Sequence, residues 1–155
     1  MTIAMHNVGR VFKELGQYSK ALEHLTISQR LSRLINDREG RAYSLDEIGD
    51  VQLRKGEYDS ALQTLKRALK ITRNLNIDVL EPRVLTKIAN AYMHQKNYSD
   101  ALAYYDSTQR LHTKTTNNFG IAEVELGRGT ILKLQGKYAD LYTMQARRYL
   151  ENETV

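Results

Sequence analysis

Side chains able to do chemistry are sparse in this chain of 155 residues, and their spacing does not assemble a reaction centre. A structural or catalytic metal needs several His, Cys or carboxylate ligands at short, fixed separations. His6, His24, His94 and His112 have no such partners, and cysteine is absent, which excludes disulfides, thiolate metal sites and cysteine nucleophiles. The glycines are spread along the chain rather than clustered, so no phosphate-cradling loop is present. Ser19 and Ser99 each follow a tyrosine at a place where a helix begins, and they read as helix-start residues rather than nucleophiles. The expectation is a chain with no catalytic residues, no metal and no cofactor. His6 and His94 are expected to reach a binding surface, whereas His24 and His112 are expected to face solvent.

Charge points away from nucleic acid. The net charge is +5, but both signs are mixed along the whole chain. Residues 1–40 hold six basic and four acidic groups, 41–80 seven and six, 81–120 five and three, and 121–155 five and five. A nucleic-acid footprint concentrates positive charge on one face, and Lys66-Arg67 and Arg147-Arg148 are too short to make one. Apolar residues make up 41% and charged residues 26%, ordinary globular usage. No apolar run approaches the ~20 residues that cross a bilayer, and no signal peptide opens the sequence. The lack of cysteine suits a cytoplasmic setting.

What must position any binding residues is a repeat. Gly56-Glu57-Tyr58-Asp59-Ser60-Ala61-Leu62 has counterparts forty residues away on either side: Gly16-Gln17-Tyr18-Ser19-Lys20-Ala21-Leu22 and Lys96-Asn97-Tyr98-Ser99-Asp100-Ala101-Leu102. A fourth, Gly136-Lys137-Tyr138-Ala139-Asp140-Leu141-Tyr142, follows at the same interval. Gly9, Gly49, Ala89 and Gly129 keep the period with a small residue. A fixed period of this size marks stacked repeats sharing one continuous core.

Apolar spacing gives two helices per repeat. The first spans 2–15, with Ile3, Val8, Val11, Phe12 and Leu15 as its apolar row. It starts almost at Met1 with little room for a cap, as in an excised fragment or the start of a short protein. Gly16 ends it, since glycine enters the left-handed conformation without steric cost. The second helix runs from Tyr18 to about Ile35, its stripe formed by Ala21, Leu22, Leu25, Ser28, Leu31, Leu34 and Ile35. Further helices are expected from about Tyr43 to just before Gly56, from Tyr58 to about Leu75, and around Pro82 to Tyr92 with the proline in the first turn. Three more are expected from Tyr98 to about Thr115, Phe119 to Gln135 and Tyr138 to about Leu150. At Lys96-Asn97 either residue could take the positive φ, and asparagine tolerates it better. The fourth repeat is degenerate, with Arg128 in place of Val8, Ile48 and Ile88, and with Leu141, Gln145 and Arg148 at usually small or apolar positions. Capping of a polar end is one explanation, and continuation or dimerisation beyond Val155 is the other.

Small residues let paired helices approach, and the expected contacts are Gly9 with Ala21, Gly49 with Ala61 and Ala89 with Ala101. The small residue, the Gly-x-Tyr turn and the following Ala-Leu resemble the tetratricopeptide repeat, over almost the whole chain. The forty-residue period is longer than the common ~34 and is similar to variants in bacterial signalling proteins. The resemblance implies an all-α superhelical solenoid of four helix-turn-helix repeats (about 1–40, 41–80, 81–120 and 121–155) forming one array over 1–155. It also implies a concave groove lined by the first helix of each repeat. That groove would hold His6, Asn7, Arg10 and Lys13, then Asp46, Glu47, Asp50 and Arg54, then Arg83, Lys87, Asn90 and His94, and finally Glu123, Thr130 and Lys133. Members that grip a chaperone's C-terminal carboxylate use a lysine- and asparagine-rich clamp, and Glu47 and Asp50 argue against that ligand.

The resulting expectation is a non-enzymatic scaffold for a protein or peptide, with Arg10, Asp50, Arg83 and Asn90 setting specificity. Charge changes at Arg10 or Asp50 should then weaken a partner without unfolding the array. The alternative is a sensor or regulatory segment of a larger bacterial signal-transduction protein carrying a histidine kinase, cyclase or transcriptional output. Self-association through the end repeats fits either reading, nucleic-acid binding is disfavoured, and no membrane partner is expected.

Overall fold

The computed structural model describes residues 1–137 and Asp140. It contains seven α-helices among the described residues: α1 (Thr2–Glu14), α2 (Tyr18–Leu34), α3 (Arg38–Arg54), α4 (Tyr58–Leu75), α5 (Glu81–His94), α6 (Tyr98–Lys114) and α7 (Asn118–Leu134). The helix expected over 138–150 lies outside the described residues, as do the readings at Leu141, Gln145 and Arg148. None of the described helices is long and apolar enough to cross a membrane.

A left-handed residue ends every helix interval, and it recurs each twenty positions. Gly16, Gly56 and Gly136 have φ of 70°, 78° and 70°; Asn36, Asn76, Lys96 and Thr116 have φ of 55°, 53°, 61° and 50°. At each turn the following amide donates back across the last helical turn, as Gln17 does to the Phe12 carbonyl at 2.9 Å and Asn97 to that of Tyr92 at 2.9 Å. These bonds satisfy carbonyls that a helix end would otherwise strand. At the Lys96-Asn97 turn Lys96, not Asn97, takes the positive φ. Asn97 is used one position later as the cap of α6, its side chain accepting from the Asp100 amide. Asp37 and Asn117 cap α3 and α7 in the same manner, accepting from Gly40 and Gly120.

Helices pack in chain order, each against the one before and the one after. The first helices of successive repeats (α1, α3, α5, α7) also touch one another, whereas α2, α4 and α6 do not, among the described residues. The array therefore curves with the first helices on its inner side. Tyr18, Tyr58 and Tyr98 are half-buried at the start of each second helix. Ala21, Ala61 and Ala101 are fully buried.

The glycine contacts differ from expectation. A Cβ added at Gly49 would lie 2.5 Å from the Leu65 side chain, and one at Gly9 2.6 Å from that of Leu25. The space vacated by glycine is thus filled by the leucine one turn beyond the alanine, although the Ala21 carbonyl also comes within 3.2 Å of that added carbon. Two apolar rows also point elsewhere than their spacing implied. Ile3, Val8, Val11 and Leu15 are exposed on α1, as are Leu34 and Ile35 at the end of α2. The core face of α1 is carried by Gly9, half-buried Phe12 and the stem of Lys13 instead.

Two changes test this account in urea denaturation. Lys96→Gly relieves a left-handed lysine and should stabilise by about 1 kcal/mol. Gly49→Leu overpacks the Leu65 contact and should destabilise by ~3 kcal/mol or more, the upper part of the overpacking range. An unchanged midpoint for Gly49→Leu would refute the α3–α4 packing.

Candidate functional site

The inner face carries a ladder of charge across three first helices. Its middle rung is acidic and belongs to α3: Asp46, Glu47 and Asp50. Lys13 of α1 donates from Nζ to Glu47 Oε2 at 2.7 Å and to Asp50 Oδ2 at 2.6 Å. On the other side, α5 supplies Arg83 and Lys87. Arg83 Nη2 donates to Asp46 Oδ2 at 2.8 Å and Glu47 Oε1 at 3.2 Å, and Lys87 Nζ donates to Asp46 Oδ1 at 2.7 Å. Arg10 lies 3.8 Å from Glu47 Oε1, and Arg54 lies 3.5 Å from Asp50 Oδ2. The acid side chains are the enclosed members, with Asp46 at 0% and Glu47 at 5% exposure, whereas Arg10 and Arg83 are 56% and 49% exposed.

This geometry sets protonation. Burial alone would lower the Lys13 pKa, but its hydrogen bonds to Asp50 and Glu47 outweigh that and raise it. Burial pushes Glu47 and Asp50 upward, yet Lys13 and Lys87 hold both below their ordinary values. His6 sits half-buried near the same charges, and burial lowers its pKa despite the opposing pull of Glu47. Lys13 on one side and Glu47 and Asp50 on the other therefore each favour the other's charged form.

The expected groove residues separate into three groups. Lys13, Asp46, Glu47 and Asp50 are largely occupied holding repeats together, which corrects the expectation that Asp50 is available to a partner at no cost to the fold. Arg10, Arg54 and Arg83 touch that acidic rung while presenting part of their side chains outward, whereas Lys87 is enclosed against Asp46. Asn7, Glu123 and Lys133 are exposed, and half-buried Thr130 donates to its own helix at the Leu126 carbonyl. Asn90 accepts from the Tyr105 hydroxyl. Tyr105 itself has its pKa pushed up to about 12 by burial, with Glu123 adding to the effect. His94 stacks on Tyr58 at 5.1 Å with planes 2° apart, joining α5 to the start of α4.

Two sequence readings are overturned here. His24 does not face solvent but stacks on Phe12 at 5.3 Å. His112 is buried, its ring occupying the space that a Cβ on Gly120 would need. Arg128, in the register of Val8, Ile48 and Ile88, faces back to α6, bonded to Asp106 and Gln109, and to Glu125 on its own helix. No group of three His, Cys, Asp or Glu side chains is arranged to hold a metal among the described residues.

Two family models, both described as tetratricopeptide repeat, match residues 1–74 and 47–114. No curated protein matches the sequence. Among solved structures, the apo form of RapI superposes with a TM-score of 0.84 at 15% identity, covering 99% of this chain and 56% of its own. Aspartyl phosphate phosphatase F from Bacillus subtilis gives 0.76 at 19% identity, covering 99% and 45%. The tetratricopeptide domain of Arabidopsis FLU gives 0.69 at 23% identity, covering 72% and 95%. This chain spans about half the length of the first two, and at these identities the likeness is one of fold.

The ladder makes a pH prediction whose sign follows from the shifts. Glu47 and Asp50, lowered on folding, contribute stability that is present above their ordinary 4.5 and 3.8 and is lost as pH falls through the folded values. Lys13, raised on folding, contributes stability that is present below 10.5 and is lost as pH rises through its folded value. Lys13→Met should cost about 3–5 kcal/mol at neutral pH by stranding buried carboxylates. It should also shrink the acid-side loss of the urea midpoint, and an unaltered pH profile would refute the coupling.

Proposed function

This chain belongs to the tetratricopeptide repeat family, and we propose on that footing that it is a non-enzymatic scaffold holding a protein or peptide segment against its inner face. The observation that carries the reading is the partition of charge in the ladder. The acids are enclosed and already neutralised, while the guanidinium groups of Arg10 and Arg83 stand half-exposed on either side of Glu47. Planar guanidinium donors left open to solvent suit carboxylates, so the fitting partner is an extended or helical segment carrying acidic side chains. Asn7, Lys87, Asn90 and His94 extend the same face along the array. The reading places the chain in the cytoplasm, a setting compatible with its lack of cysteine.

A second reading, a sensor or regulatory segment of a larger bacterial signal-transduction protein, is favoured by one fact. Two of its structural neighbours, RapI and the aspartyl phosphate phosphatase, accommodate all but 1% of this chain within proteins about twice as long. Determining the full open reading frame discriminates, since this reading requires an attached output domain.

Screening immobilised chain against an array of acidic, neutral and basic peptides tests the scaffold reading. Acidic peptides should be retained, and Arg10→Ala combined with Arg83→Ala should weaken retention by about tenfold or more, as expected for loss of charge-assisted bonds of ~1.5–3 kcal/mol each. Retention that ignores peptide charge, or that survives the double substitution, would reject this face as the site.

A further inference from the structure

The charge ladder stops between α5 and α7. Asp46 of α3 is met 37 and 41 positions later by Arg83 and Lys87 of α5. One repeat on, the corresponding places hold Thr86, Glu123 and Gly127. Thr86 donates its hydroxyl to the Pro82 carbonyl of its own helix at 3.0 Å, Lys87 is turned to Asp46, and glycine brings no side chain. No ion pair joins α5 to α7 among the described residues, and the inner face opens there into a cavity of about 610 Å³. Its floor is the end of α6 and the start of α7, where the His112 ring lies against Gly120. His112 is only 8% exposed, yet its ring makes no hydrogen bond among the described residues. At the opening Phe119 and Val79 are 82% and 71% exposed. Arg83 and Lys114 line it together with Asp78 and Glu123, so both signs of charge face the cavity.

We propose that this cavity takes an aromatic side chain with a hydrogen-bonding tip, tyrosine by preference, from the segment held on the inner face. The proposal rests on the reading of that face as the seat of an acidic segment, and it adds a second requirement to the segment. Three observations select the occupant. An ionised tip would gain from one pair of side chains at the opening and lose to the other, so net charge is not favoured. The apolar surfaces of Phe119, Val79, Leu111 and Pro82 suit a ring, set offset or edge-on against Phe119. An aliphatic side chain would cover the same walls but shut the His112 ring away from water without a partner. A phenolic hydroxyl avoids that cost, since it both donates and accepts. Arg83 stands beside this cavity and also beside Glu47, so the aromatic residue falls on the α7 side of the carboxylate that Arg83 would hold.

Fluorescence anisotropy of labelled acidic peptides titrated with the full chain reads the outcome. A series places alanine, phenylalanine, tyrosine or lysine at each position in turn. At one position phenylalanine should bind about tenfold or more tighter than alanine. Tyrosine should exceed phenylalanine there by roughly fivefold, and lysine should gain nothing. Phe119→Ser, at an exposed site, should remove most of the gain of both rings over alanine. His112→Phe keeps a ring against Gly120 and should make tyrosine and phenylalanine equal, with both still above alanine. Ile35→Ser, an exposed apolar site at the end of α2, should leave every ratio unchanged. The alanine peptide lacks the ring and so reads the acidic-segment reading alone: its failure to bind rejects that reading and this one together. Alanine, phenylalanine and tyrosine peptides that bind equally reject only the cavity, and equal binding is also the result if residues 138–155 of the chain fill it themselves. A gain that survives Phe119→Ser, or a lysine peptide that outbinds tyrosine, overturns the proposal as well.

Discussion

Everything in this molecule depends on one backbone constraint, a left-handed residue every twenty positions. Each such residue stops a helix and turns the chain, and five of the six described connections start the next helix two residues later, the exception being Asn76, after which α5 begins at Glu81. Only glycine adopts this conformation without a side-chain penalty, yet asparagine, lysine and threonine hold four of the seven described positions. The penalty is tolerated because the turn is overdetermined. At each of these turns two amides donate into the preceding helix, and at Asp37, Asn97 and Asn117 a side chain also caps the following helix. A regular interval then gives second helices of 17 or 18 residues, so corresponding residues recur at corresponding places on every face.

That register brings the acids of α3 between the bases of α1 and α5. Enclosed ion pairs are poor sources of net stability, because desolvation offsets much of the attraction. Their consequence is selective. Displacing α1 along α3 by one turn would leave Lys13 against the wrong side chains and Glu47 with Arg83 alone in an enclosed site, a cost that apolar surfaces alone would not impose. At the α6–α7 junction the same task falls to Arg128 with Asp106 and Gln109, where earlier junctions use isoleucine. One register position thus alternates between apolar packing and ion pairing, and both answer the same need to fix neighbours in phase.

Most turns and helix spans were legible in the sequence because they are local: glycine or asparagine at intervals, a tyrosine two residues on, and apolar spacing between; the start of α3 was not, since it begins at Arg38 rather than about Tyr43, in a polar stretch where Asp37 caps it. What was not legible depends on partners across repeats. The row Ile3, Val8, Val11 and Leu15 looks like a core stripe by spacing, but spacing does not say whether a neighbour is present to cover it. Lys13 and Asp50 were visible as charges on the right helices; that they neutralise one another required knowing that residues about one repeat apart are adjacent. A sequence signal for it does exist, since the paired bases and acids are 34 to 41 positions apart. His112 was misread for a related reason. Its place corresponds to Ser32 and Thr72, both buried, and the room for its ring comes from Gly120 on the next helix.

The same ladder ties recognition to architecture. Arg83 and Arg10 each use part of their hydrogen-bonding capacity on the acids of α3, so a carboxylate arriving at the inner face competes with Asp46 and Glu47 for them. Glu47 keeps Lys13 at 2.7 Å and Asp46 keeps Lys87 at 2.7 Å, which means neither acid is stranded when an arginine turns outward. The redundancy of partners lets the exposed arginines reorient at low cost while the enclosed lysines hold the repeats in register. Binding and stacking are thereby divided between two kinds of base on the same face: lysines whose single ammonium is enclosed, and arginines whose broad guanidinium spans from the acids to solvent.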